Sequence, residues 1–334
     1  MIGQLLSRLT TLVVAFGLVA ANVATAADKR NDPIKVRSAE AIKGTNQVVI
    51  GAFNVGFIFQ SVDRAKASGG LMGAFGGATR TKSQLTGVTP QMIQAITDAA
   101  HADFVRQLGA AGFSVVDSAA MFASPQFAKV KYAPAPYEAS IALEKGSKGK
   151  AEYFKPSALP GLVMLPGDFT SSGLSGLGMT MQSAQTAMAM TQYAKANNVA
   201  VIDVVYLIDF SNTKRPGAFS FGGLKVSGGM SVVSDFSKVS VISPSGKTAS
   251  LTLDESVAVE GDFATMADAT KDGGLQKAAN IAGGVAAVFG MGGLMFGKSK
   301  TFAFTAIPGV YEQGVTKAAA LANERVVGRM AALR

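Results

Sequence analysis

The longest apolar runs in the chain are Val48–Phe59 (VVIGAFNVGFIF) and Val199–Phe210 (VAVIDVVYLIDF). Both are rich in β-branched residues and nearly unbroken, the pattern of buried strands. After the first run comes a Gly-rich, basic stretch, Ser61–Gly87, which reads as a loop. Thr89-Pro90 then gives a helix start, with Thr as cap and Pro at the first helical position. From there to about Leu108, Met92, Ile93, Ile96, Phe104, Val105 and Leu108 share one face at helical spacing. Gly109 and Gly112 stop the helix, and Phe113–Asp117 reads as a second strand. Residues 124–160 hold Pro134, Pro136, Pro156, Pro160 and the polar run Glu144–Lys150, so they read as irregular. Gly161–Leu165 is a strand candidate and Met179–Asn197 a helix candidate, its methionines filling core gaps.

The carboxy-terminal third is strand-like. Phe219, Phe221, Leu224 and Val226 alternate with Ser220, Lys225 and Ser227, with Gly222-Gly223 as a bulge candidate. Gly228-Gly229 reads as a two-residue turn, with Met230–Val241 returning from it. Ser243–Lys247 is another turn, followed by strand material from Leu251 to Val259. The last element is an Ala-rich helix, Thr316–Leu333. The pattern predicts an α+β fold: a mixed sheet flanked by two or three helices, with a β-hairpin-rich carboxy-terminal region.

The amino terminus changes the picture most. Arg8 is the only charged side chain before Asp28, Leu9–Ala20 is almost wholly apolar, and Ala24-Thr25-Ala26 is a small-x-small site. This is the pattern of a signal peptide cleaved near Ala26, which implies a periplasmic or outer-membrane protein. The expected organisation is a signal peptide (1–26), an extended arm (27–45) and a single α+β domain (46–334) with a hairpin insertion near 212–310.

Composition then narrows the chemistry. The full chain has 334 residues and a formal charge of +9. Its basic residues are dispersed, which suits a solvated surface or an anionic envelope component better than nucleic acid. With no cysteine, disulfides, thiol catalysis and thiolate metal sites are excluded. The single histidine, His101, falls in the first helix without a convergent nucleophile. No His/Asp/Glu cluster has metal-ligand spacing, so no catalytic, cofactor or metal residues are assigned.

Gly292–Ser299 fits the phosphate-loop pattern G-x-x-x-x-G-K-[ST]. The pattern needs a following helix to complete the anion site. Here Thr301–Ile307 alternates like a strand, so nucleotide binding is not expected. The surrounding segment 281–297 is uncharged and Gly-rich, and 67–77 has the same texture.

The order of elements, with VVIGAFNVGF, ITDAAHADFVRQLGAAGFSVVD, VAVIDVVYLIDFSNT, KVSVISPSGKTASLTLDESVAV and TKAAALANERVVGRMAAL, resembles the curli secretion-channel (CsgG-like) family and the related amino-terminal domain fold of TolB. The resemblance spans roughly residues 46–333. It implies a non-enzymatic secretion or assembly component, a homo-oligomer in contact with the outer membrane or an envelope partner. It also implies hairpins that insert into the membrane, with Phe219, Phe221, Leu224 and Val226 facing lipid. Two features differ from that family: there is no lipid-bearing cysteine, and Trp is absent. The alternatives are a soluble periplasmic binding or scaffold protein of related fold and, more distantly, an exported hydrolase.

Overall fold

The two long apolar runs lie side by side. A computed structural model of the chain describes residues 33–66, 78–144, 147–166, 168, 175–214, 225–270 and 299–334. In it β2 (Gln47–Lys66) and β7 (Ala200–Lys214) pair in parallel from Val48↔Ala200 to Phe57↔Ile208. Among the described residues they form the centre of one mixed sheet of thirteen strands with four helices, an α+β fold. Along the main path the order is β1 (Ile34–Arg37), β10 (Thr248–Leu253), β9 (Lys238–Ile242), β7, β2, β3 (Ala78–Thr86), β13 (Ser299–Ala306) and β12 (Ala264–Asp268). β4 (Ser114–Val116) and the hairpin of β5 (Tyr137–Glu144) with β6 (Ser147–Phe154) join through β2. β8 (Lys225–Val232) pairs with β7 and with β11 (Val257–Val259).

Both faces of the central pair are covered, which is why these strands are apolar without alternation. Phe53 and Tyr206 meet α1 (Pro90–Ala110): Phe53 is edge-on to His101 at 5.3 Å and tilted on Phe104 at 5.7 Å. The same core takes in α4 (Val310–Leu333), through Val315, Ala319, Ala322, Val326 and Met330. On the opposite face Val49, Ala52 and Val201 cluster with Met190, Tyr193 and Ala194 of α3 (Ser175–Asn197) and with Met121 of the short α2 (Ser118–Phe122). The α1 start is as its sequence predicts, with the Thr89 hydroxyl accepting from the Met92 N–H and Pro90 in the first turn. The Ser243–Lys247 turn also forms, closed by the Ser243 N–H on the Lys247 carbonyl, with Gly246 at φ +82°.

Six expectations are corrected. Ser61–Gly87 is not all loop: β2 runs on to Lys66 and pairs antiparallel with β3 from Gln60↔Gln84 to Lys66↔Ala78. The hairpin is polar on both faces, which hides its strands. Residues 124–160 contain β5 and β6. Their prolines lie outside the strands, and Lys148, Gly149, Lys150, Ala151, Glu152 and Tyr153 alternate between open and buried positions. Gly161–Leu165 forms one bridge, Leu162 to Ala133, and is otherwise irregular although buried. Gly228-Gly229 is no turn. β8 passes through it, with Gly228 opposite Ser211 beside a register irregularity, a place where a strand glycine is at home. Met230–Val232 therefore continues β8, and β9 pairs with β7 and β10 instead. Within the expected arm Ile34–Arg37 is strand β1, paired with β10, and the last helix starts earlier than expected, at Val310.

One polar knot locks α1, α4 and the sheet. Fully buried Asn323 accepts from the Tyr206 hydroxyl (2.9 Å) and donates to the Ala100 carbonyl (3.0 Å) and Asp103 (2.8 Å). Replacing Asn323 with Leu leaves the buried Tyr206 hydroxyl without its acceptor and removes the donor to the Ala100 carbonyl and to Asp103, which keeps Gln107 and Arg106. The expected loss is about 2 kcal/mol or more, read as a lower urea midpoint at unchanged slope.

Candidate functional site

The densest ionisable cluster sits under the irregular segment 159–168. Asp203 points from β7 into the α3 side of the sheet, opposite Ser240 of β9 and Ala52 of β2. It is fully buried. Asp168 closes over it, with one oxygen 2.9 Å from Lys238 Nζ on β9 and the other accepting from the Leu165 N–H. Burial, then repulsion from Asp168, pushes the Asp203 carboxyl well above the carboxylate range. Asp168 is raised too, by burial, but Lys238 and the Leu165 N–H pull it back. Burial thus favours the neutral form of Asp203 more strongly than that of Asp168, which faces Lys238.

A protonated carboxyl beside a carboxylate is an acid–base arrangement. Here, however, the carboxylate is already held by a lysine and a backbone N–H. Asn54, also buried, donates to the Val163 carbonyl at 2.7 Å. Together these contacts satisfy backbone that has no ladder to join, and the cluster acts as a clasp for segment 159–168. Tyr153 sits beside it, its ring against Gly56, where a Cβ would come within 2.5 Å of the ring; burial raises its phenol, with Asp168 acting in the same direction. The periodic reading of the sequence missed this cluster. Its only signal was Asp203, one of two aspartates in a run that is otherwise apolar.

A second polar region lies where β2 and β3 leave the central core. Ser61 is opposite Ser83 and Asp63 opposite Thr81, and all four side chains are buried. The hydroxyls of Ser61, Thr81 and Ser83 have no hydrogen-bond partner among the described residues. Asp209 of β7 faces the same region. Burial pushes its carboxyl up to about 6, Asp63 adding to the rise while the Ser211 N–H and hydroxyl oppose it.

Strand directions bring four connections to one end of the sheet. β2 and β7 run in parallel toward it, the β6 start at Lys148 lies beside Val62, and the β13 start at Ser299 lies beside Arg80. The connections 67–77, 145–146, 215–224 and 271–298 thus leave from the same end. Phe219, Phe221 and Leu224 fall within them, outside the described residues, as do segments 67–77 and 281–297 and all of the phosphate-loop match but Ser299. Val226 is placed on β8, opposite Thr213. His101 is half-buried against Phe53, and burial lowers its pKa. Among the described residues no three His, Asp or Glu side chains converge as metal ligands. No described helix is long and apolar enough to cross a membrane, which leaves strands untested.

Two predictions follow from these charges. Lys238→Met strands the buried Asp168 carboxylate and should cost about 3–5 kcal/mol, whereas Asp203→Asn should cost far less because that carboxyl is already neutral; urea unfolding at pH 7 compares them. For Asp209, the folded carboxyl binds its proton more tightly than the unfolded one, whose pKa is about 3.9. Its stabilising contribution is complete below that value and lost as pH rises through about 6. Asp168 and Asp203, also raised, act with the same sign. Asp209→Asn should flatten the fall in urea midpoint between these two pH values.

Comparison with protein families, with curated proteins and with solved structures finds no match for this chain.

Proposed function

We propose that this chain is a non-enzymatic component of the cell envelope, acting as a homo-oligomer in secretion or assembly in the manner of a curli-type channel component. Its working part is the hairpin end of the sheet. The observation that carries this reading is the convergence of four connections on one end, three of them Gly-rich and apolar by sequence: LMGAFGG in 67–77, AFSFGGL in 215–224 and the uncharged run 281–297. The signal-peptide pattern of residues 1–26 supports an extracytoplasmic place. The closed Asp168–Asp203–Lys238 clasp favours a structural role for the strongest ionisable cluster over hydrolysis.

A second reading, a peripheral periplasmic binding or scaffold protein of related fold, draws support from the β2–β3 hairpin. Its open face carries Gln60, Arg64, Arg80, Lys82 and Gln84 rather than an apolar stripe. Fractionation separates the two readings. An envelope oligomer pellets with membranes, resists salt washing and elutes from a detergent column well above the size of one chain. In that case Phe219→Asp with Phe221→Asp should release it while leaving its circular dichroism intact. Recovery as a soluble monomer sinks the channel reading.

A further inference from the structure

Five basic side chains share one face of the strands that lead to the hairpin end. Arg64 of β2 stands directly opposite Arg80 of β3. Val62 lies between Lys82 of β3 and Lys148 of β6, and Gln60 is opposite Lys150. Directly opposed residues on antiparallel strands project from the same face, with Cβ atoms ~4.5–5.5 Å apart. Arg64, Arg80, Lys82, Lys148 and Lys150 therefore form one continuous patch across three strands. Four of them are exposed. Arg80 is partly covered, and its Nε is buried with no acceptor among the described residues.

The described carboxylates offset only part of this charge. None of the five makes an ion pair among the described residues. Asp63 alternates to the opposite, buried face with Thr81. Glu152, two residues along β6 from Lys150, and Glu138, diagonal to Lys150 on β5, share this face, so the five cations outnumber the acids beside them and Arg64 and Arg80 lie at the far end from both. Like charges placed directly across a ladder are destabilising, so an uncompensated Arg64–Arg80 pair beside three lysines is a cost to the isolated fold that an external anion relieves. Arginine and lysine together suit phosphate oxygens.

The neighbouring sequence decides which phosphate. The strands continue into connection 67–77, which has no charge and contains Leu71, Met72 and Phe75. The four connections together carry Lys145, Arg215, Lys271, Lys277 and Lys298 against one acid, Asp272. Cations next to apolar residues match a bilayer surface, where phosphate lies just outside hydrocarbon. A soluble polyanion has no use for the apolar part.

We propose that Arg64, Arg80, Lys82, Lys148 and Lys150 form a docking face for the phosphate headgroups of an anionic lipid bilayer, seating the hairpin end on the membrane surface. The proposal rests on the envelope reading above and adds the lipid class and the residues that select it. The test is co-sedimentation of the full chain with vesicles of phosphatidylcholine alone or mixed with phosphatidylglycerol, using K82E/K148E/K150E and the charge-matched control K43E/K195E/K247E, all at exposed positions. Circular dichroism checks that both variants fold. The unaltered chain should sediment with anionic vesicles and be released by salt. The patch variant should lose affinity on the order of a hundred-fold, about 1 kcal/mol per charge, and the control should keep it.

Equal binding to both vesicle types, or a patch variant that binds like the control, overturns the docking face and leaves the envelope reading standing. Stronger binding to soluble polyphosphate than to anionic vesicles assigns the patch to a polymer and overturns the lipid assignment. Failure to bind any vesicle, with the protein soluble on fractionation, overturns both.

Discussion

The fold depends on burying the β2–β7 pair from both sides at once. Residues 201–208 of β7 are essentially inaccessible, as are Val48–Ile58 of β2. A parallel pair cannot be joined by a tight turn, and the chain between these strands supplies α1, α2 and α3 on its way. α1 and α4 cover one face and α3 the other. Every further strand is added to an edge of this pair, so the hydrophobic burial of two strands sets the position of the rest.

Burying that pair creates the polar obligations seen elsewhere. A buried irregular segment must satisfy its backbone groups without a ladder. Asn54 and Asp168 meet that need for 159–168, and Asp168 in turn needs Lys238 and a protonated Asp203. The helix layer is tied in similarly, by Asn323 reaching Tyr206, Ala100 and Asp103 at once. These contacts fix which apolar surfaces meet rather than supplying the bulk of the stability, since a buried charge pair recovers little beyond its own desolvation.

What was legible in the sequence follows from the same physics. The α+β class, β7, α1 with its Thr89 cap, the Ser243–Lys247 turn and the terminal helix each carry their own periodic or capping signal. Elements whose two faces meet unlike surroundings were harder. The β2–β3 extension is basic outside and Ser/Thr/Asp inside, so neither hydrophobic alternation nor an apolar run marks it. β5–β6 does alternate, but its charged outer positions and its flanking prolines imitate a loop. Gly228-Gly229 looks like a turn until β7, running on to Lys214, offers a pairing partner that no local pattern contains. The carboxyl clasp joins residues 168, 203 and 238, which only the tertiary fold brings together.

The hairpin end also limits how this protein can meet a membrane. A strand crossing the hydrocarbon needs ~9 to 11 residues with apolar side chains on the lipid face. The described β2–β3 hairpin does not provide that face: Arg64, Arg80 and Lys82 stand on its open side. Residues 67–77 and 215–224 number eleven and ten, about five per side, enough to enter the interface but too few to span. Residues 271–298 number twenty-eight, enough for two crossing strands and a turn by length alone.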